Sequence, residues 1–205
     1  PTIVFDVGAN VGQWYQAFRE VNTTAKVYSF EPDPRAFEML EKLHREVGDA
    51  NWEIFETALG SSEGKSTMNL WDVAGGSSSL KDLTLEGESF TGKKQSEFLR
   101  VDVKLATLDS FVRGLGNATS KIMLKLDVQG YELEVLMGAS ESLAARIGLV
   151  EVEIPFRSIY SGESSVATID SLMGSKQFTP LTFQTKRWNR NLLAAADFDS
   201  LYLRK

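Results

Sequence analysis

Three carboxylates recur at one kind of position in this chain. Asp6 follows the apolar run Ile3-Val4-Phe5, Glu31 follows Val27-Tyr28-Ser29-Phe30, and Asp127 follows the largely apolar stretch Ile122-Met123-Leu124-Lys125-Leu126. Each acid closes a short stretch of the type that forms a buried strand. Each is also followed within five residues by a turn signal: Gly8, Pro32 or Gly130. In an open α/β sheet, ligands bind beyond the carboxyl ends of the strands, where strand order reverses. Acids at three such ends therefore meet at one rim. There Asp6 can accept from a ligand ammonium or hold its own loop, and Glu31 can accept both hydroxyls of a ribose. Asp127 is placed to take a proton. Glu153 ends the next predicted strand and shares a face with Glu151 by strand alternation. Acids gathered in this way suit a cationic ligand, a general base or a metal. Helix N-terminal carboxylates stabilised by the dipole are the alternative, and for Glu132 and Glu134 that is the preferred reading.

The loop after the first strand, Gly8-Ala9-Asn10-Val11-Gly12, is neither the Gly-x-Gly-x-x-Gly dinucleotide fingerprint nor a P-loop. Gly8 permits a sharp turn and Gly12 a close approach of helix to strand. His44, the single histidine, falls far along the second helix and is assigned to the surface.

The elements that must carry these residues alternate. Strands are expected at 2–7, 26–30, 52–57, 99–105, 121–128, 148–154, 178–183 and 200–203. Val11, Trp14, Tyr15, Phe18 and Val21 mark the buried stripe of a first helix, with Asn10 and Gln13 as a variant capping box. Asp33-Pro34 opens a second helix as cap and first residue, with Phe37, Leu40, Leu43 and Val47 on its apolar side. Further helices are expected at 107–112, 131–145 (Leu133, Leu136 and Met137 inward) and 166–173. This alternation predicts an α/β fold, a doubly wound and mostly parallel sheet with an antiparallel edge pair formed by the last two strands. One domain over 1–205 is expected, with the polar stretch 61–98 inserted over the sheet edge or the site. A hairpin is expected near 66–71.

Composition narrows the chemistry. The chain has 205 residues, no cysteine and a net charge of −6. The missing cysteine removes disulfides, thiolate zinc sites and cysteine nucleophiles, and fits a reducing, cytoplasmic location. The acidic balance lowers the expectation of nucleic-acid partners, with Lys186-Arg187 as a local basic exception. No apolar run is long enough to span a membrane, and Pro1 leads directly into the first strand without a signal-peptide pattern. That start fits Met removal and trimming of upstream residues equally.

The sequence resembles the FkbM family of class I methyltransferases. The matching pieces are residues 5–12, Phe30-Glu31-Pro32, Thr57-Ala58-Leu59-Gly60, Thr107-Leu108-Asp109, 124–138 and 153–162. The run Lys125-Leu126-Asp127-Val128-Gln129-Gly130-Tyr131-Glu132-Leu133-Glu134-Val135-Leu136 is the most specific of them. Between Gly60 and Leu99 only Gly76-Ser77-Ser78-Ser79 matches, so the segment expected to cover the acceptor is the least informative. The resemblance implies a seven-stranded sheet and S-adenosyl-L-methionine as cofactor. It implies that Asp6, Gly8, Asn10 and Gly12 hold the methionine part. Glu31 and Pro32 would lie at the ribose, Thr57 and Ala58 at the adenine, and Asp127 beside the cofactor loop. It further implies methylation of a hydroxyl on a small-molecule acceptor, often a sugar or a polyketide-like natural product. Asp127 is the first candidate for the base and Glu153 the second. No metal is required. Trp71, Tyr160 and Trp188 are candidates for a sugar-stacking surface.

Other readings are weaker. Cytosine C5 methylation needs a cysteine. The Asn/Asp-Pro-Pro-aromatic motif of base amino methylation is replaced here by Asp127-Val128-Gln129-Gly130. A nicotinamide dehydrogenase lacks its fingerprint. A methyltransferase acting on an amine, protein or nucleic acid, and a cofactor-binding module without turnover, are the remaining alternatives.

Overall fold

The computed structural model describes residues 1–71, 78–116, 121–185, 188–189, 194–195 and 197–205, with side chains omitted over 185–197. Twelve strands are described: β1 (Ile3–Val7), β2 (Lys26–Phe30), β3 (Trp52–Phe55), β4 (Ala58–Leu59), β5 (Gly64–Leu70), β6 (Leu99–Ala106), β7 (Ile122–Leu126), β8 (Ile147–Pro155), β9 (Phe178–Thr185), β10 (Trp188–Asn189), β11 (Ala194–Ala195) and β12 (Asp197–Arg204). The helices are α1 (Gln13–Val21), α2 (Pro34–Val47), α3 (Leu85–Thr91), α4 (Leu108–Gly114), α5 (Glu132–Met137), α6 (Ser140–Ala145) and α7 (Val166–Ser175).

Seven strands form the main sheet in the order β3-β2-β1-β7-β8-β12-β9. Pairing is parallel from β3 to β8, and β12 runs antiparallel to both of its neighbours. The expected antiparallel pair is thus present, with β9 at the edge. Strand order reverses between β1 and β7, which makes their carboxyl ends the switch point.

Strand alternation divides the core into two layers. Ile3, Phe5 and Val7 of β1, with Ile122, Leu124 and Leu126 of β7, pack with α4, α5, α6 and α7. Val4, Val27 and Met123 face the opposite way, onto Tyr15 of α1 and Leu40 of α2. The face that carries Val4 also carries the polar residues. Ile54, Ser29, Asp6, Lys125 and Glu151 stand in register across β3-β2-β1-β7-β8.

Several boundaries differ from the sequence expectation. The Asn10–Gln13 capping box is absent: α1 starts at Gln13, its cap is Gly12 at φ 94, and no side chain caps it. Asn10 is itself left-handed, at φ 50, and turns the loop instead. Val21, the last residue of α1, is 84% exposed and outside the buried stripe, and Val47 at the end of α2 is also exposed. The cap at Asp33 is as expected: its side chain accepts from Arg35 N, with Pro34 at the first position. The single helix expected over 131–145 is two. Gly138 lies so close to Gly60 that a Cβ there would be 1.9 Å from the Gly60 oxygen. Asp109 then caps the second piece, accepting from Glu141 N at 3.0 Å and Ser142 N at 2.8 Å. Met137, at the break, is 55% exposed rather than inward.

Of the hairpin expected near 66–71 the described residues show one antiparallel bridge, Asn69 to Ser79. β5 is one strand whose antiparallel partner is β6, about thirty residues on, in a separate sheet of order β4-β6-β5. The strand expected at 99–105 belongs to this sheet. Gly76, Ser77, Lys186 and Arg187 lie outside the described residues, as does the Trp188 side chain. Among the described residues no helix is long and apolar enough to cross a membrane.

Candidate active site

A crevice with about 700 Å³ of open space lies over the switch point. Val7, Gly8 and Asn10 line it from the end of β1, and Phe30, Glu31, Pro32 and Asp33 from β2. Thr57, Ala58 and Leu59 come from the β3–β4 turn, Asp127, Val128, Gln129 and Tyr131 from the end of β7, and Met68, Ser78 and Leu80 from the cover. The structure therefore brings Gly8, Asn10, Glu31, Pro32, Thr57, Ala58 and Asp127 to one place.

Glu31 is nearly buried. Its Oε2 accepts from the Asn10 amide at 2.7 Å and its Oε1 from the Asp33 amide at 2.8 Å. The left-handed turn at Asn10 thus delivers an N–H that fixes Glu31. Burial pushes its carboxyl up to about 7, against the two backbone donors that favour the charge. Each carboxylate oxygen retains acceptor capacity beyond one backbone bond, so the group fits a ligand diol. Asp33 is also buried, but its partners outweigh that: the Arg35 side chain and amide and the Ser78 hydroxyl hold its carboxyl below the usual range.

Asp6 does not face the crevice. It is fully buried; its Oδ2 accepts from Ser29 Oγ at 3.1 Å and its Oδ1 lies 2.9 Å from Lys125 Nζ. The lysine also donates to the Gly8 carbonyl at 2.9 Å. Of its two expected roles, the geometry matches loop support. A ligand ammonium finds no exposed oxygen there. Gly12 likewise lies away from the crevice, and its tightest approach is to α2, with Trp52 of β3 next. A Cβ would stand 2.7 Å from Leu43 Cδ2 and 3.1 Å from Leu40 Cδ1 of α2. Gly8 is required by Asp127, whose carbonyl oxygen would be 1.8 Å from a Cβ.

Asp127 and Glu153 are brought together by Gln129. Its amide nitrogen donates to Asp127 Oδ1 at 2.8 Å and to Glu153 Oε2 at 2.9 Å. Glu153 is buried behind this bridge and does not line the crevice. Glu151 accepts from the Trp14 indole at 3.2 Å. Glu132 is buried and closes the turn by accepting from Val128 N and Gly130 N, and burial pushes its carboxyl up to about 7. Glu134 pairs with Lys81 at 3.0 Å. His44 is half-buried and bonded to the Trp52 carbonyl, at the amino end of β3; it is not part of the crevice. Trp71 packs on Phe98, with the Lys93 ammonium over its ring, while Tyr160 donates to Gln129 Oε1. Among the described residues no group of three or more His, Asp or Glu side chains is placed to hold a metal ion.

Sequence reading passed over two residues that organise this site. Lys125 carried a signal, a cation inside an apolar strand whose complement had to be another buried charge. Gln129 carried none, because its role depends on a left-handed backbone, φ 53.

Comparison with known proteins agrees with this geometry. Residues 6–180 match the family described as the methyltransferase FkbM domain. The 2-O-methyltransferase NoeI of Sinorhizobium fredii is 25% identical over 181 residues, covering 84% of this chain and 71% of that protein. The hexuronic acid methyltransferase AglP of Haloferax volcanii is 28% identical over 153 residues, covering 74% and 55%. The crystal structure of methyltransferase FkbM from Methylobacillus flagellatus KT aligns with a TM-score of 0.60 at 14% identity. That alignment covers 98% of this chain and 43% of that one, and it is a likeness of fold. With the family pattern running from the buried acid at the end of β1 to the edge strand β9, the chain belongs to the FkbM methyltransferase family.

Proposed function

We propose that this chain is an S-adenosylmethionine-dependent O-methyltransferase acting on a hydroxyl of a sugar or small natural product. The observation that carries the reading is the crevice at the switch point, with Glu31 on one wall and Asp127 on the other. S-adenosylmethionine, when bound, supplies a methyl group already activated on sulfur, so that transfer breaks the carbon–sulfur bond with its electron pair left on sulfur. The backbone of Gly8 to Asn10 would border the methionine part, Glu31 the ribose, and Thr57 and Ala58 the adenine. Asp127 receives the acceptor hydroxyl proton as the new oxygen–carbon bond forms. The crevice walls align acceptor and methyl and exclude water. One domain over 1–205 is part of this reading, with 61–98 as its cover: β5 and Ser78 supply that wall of the crevice. A sugar acceptor is favoured by AglP, named for hexuronic acid, and transfer to oxygen by NoeI, named for a 2-O position.

The test is transfer of a labelled methyl group from S-adenosylmethionine to a panel of hydroxylated acceptors. Label in a glycoside ether is the expected result; label only in amines, protein or RNA overturns the acceptor class.

The Glu31 carboxyl adds a pH signature. Ribose hydroxyls hydrogen-bond best to the ionised form, and the free site holds its proton up to about pH 7. Affinity for S-adenosylmethionine therefore falls as pH falls through 7. A drop of about ten-fold from pH 8 to pH 6 is expected from this linkage. Glu31→Gln should bind more weakly at pH 8 and lose this component of the pH dependence. Calorimetry on both proteins at the two pH values checks it, and equal slopes would remove Glu31 from the ribose.

A further inference from the structure

Gln129 occupies a position that glycine would fill more easily. Its φ of 53 lies in the left-handed region, which is uncommon for residues other than glycine, asparagine and aspartate. It is nevertheless a buried glutamine. Both amide hydrogens are used and the oxygen is held: Nε2 donates to Asp127 Oδ1 at 2.8 Å and Glu153 Oε2 at 2.9 Å, and Oε1 accepts from the Tyr160 hydroxyl at 3.1 Å. Carboxylates only accept, and the phenol has a hydrogen to give, so this pattern sets which way the amide points. The backbone is tied as well, because the Gln129 carbonyl accepts from Ser79 Oγ at 2.6 Å. Strain kept at a crevice residue by this many contacts marks a site whose geometry matters.

We propose that Gln129 is a positioning residue for methyl transfer, holding Asp127 against Glu153 in the orientation from which Asp127 takes the acceptor proton. The inference rests on the O-methyltransferase reading. The residue type is suited to the task. Two neighbouring carboxylates repel, and a donor between them offsets the repulsion. An arginine or lysine would do this too, but its charge would favour the ionised acids and weaken them as bases. A neutral amide orients both acids and favours their ionised form less than a full positive charge would. Tyr160 acts one step further out, by keeping the amide from turning over.

Gln129→Gly separates the side chain from the backbone, since glycine adopts the same φ without strain. Tritium transfer from S-adenosylmethionine to a panel of methyl glycosides of hexoses, deoxyhexoses and hexuronic acids would be compared with cofactor calorimetry and thermal unfolding. The expected result is a kcat lowered at least ten-fold, with the glycoside KM and the cofactor Kd each within three-fold, in a protein that still unfolds cooperatively above the assay temperature although less stable than the parent. Tyr160→Phe should give the same pattern with a smaller loss, near three-fold. A Gln129→Gly protein with undiminished kcat overturns the proposal. So does one whose cofactor affinity falls ten-fold, which would make Gln129 part of the cofactor site. A parent protein that binds S-adenosylmethionine but methylates no glycoside, while labelling another acceptor class, contradicts the sugar reading alone; the same kcat comparison then applies with that acceptor. A parent protein that labels nothing overturns the enzymatic reading and this assignment together.

Discussion

Lys125→Met is expected to destabilise the protein by about 3–5 kcal/mol, because it removes one partner of a buried ion pair and leaves the other charge behind. Lys125 and Asp6 have side-chain exposures of 5% and 0%. The methionine has similar length and fills the same space, so lost packing contributes little. What remains is a buried Asp6 carboxylate that accepts from Ser29 Oγ, and a Gly8 carbonyl without its ammonium donor. The double variant Asp6→Leu/Lys125→Met should recover much of the loss, since replacing both charges by apolar groups is often neutral or better. Urea unfolding of the two variants checks this. A loss below about 1 kcal/mol in the single variant would mean that the pair is hydrated and surface-like. Both variants should bind cofactor more weakly than the parent, because the Gly8 carbonyl is no longer held.

Asp127→Asn is expected to lower kcat by about 10²–10⁴, the range for loss of a positioned general base. The substitution is nearly isosteric. The new amide oxygen can still accept from Gln129 Nε2, as Asp127 Oδ1 does at 2.8 Å, so the geometry of the β7 turn is retained. Cofactor affinity should therefore change by less than about three-fold, a difference below 1 kcal/mol. Steady-state kinetics with a labelled methyl group, paired with calorimetry, separates the two effects. Abolished binding would make Asp127 a cofactor ligand and move the base elsewhere. Unchanged turnover would pass the role to Glu153.

The residues that ended strands were legible because strands are short and the rule linking their carboxyl ends to ligands is local. Glu31, Pro32, Thr57, Ala58 and Asp127 line the crevice for that reason. The mostly parallel sheet and its antiparallel edge pair followed from the order of element types, while the count of seven strands came from the family resemblance. What was less legible depends on contacts distant in sequence. The strand pattern does not say that β7 places Lys125 beside Asp6. The loop pattern gives Gly12 a close approach but does not say that α2 brings Leu43 to it. The break between α5 and α6 is set by Asp109, some thirty residues earlier. β5 pairs across a long connection with β6, which no local hairpin pattern can announce. Gln129 is invisible to pattern reasoning, since nothing in a Val-Gln-Gly turn says that its amide reaches two acids.

The central claim is that the crevice between Glu31 and Asp127 holds S-adenosylmethionine. Isothermal calorimetry of the protein with S-adenosylmethionine, with NAD as the comparison and Glu31→Ala as the variant, tests it most directly. Micromolar binding of the first compound, no heat with the second, and affinity weakened by about ten-fold or more in Glu31→Ala are the expected results, as loss of hydrogen bonds to a charged group requires. A folded protein that binds NAD instead, or whose Glu31→Ala variant binds S-adenosylmethionine as the parent does, would contradict it.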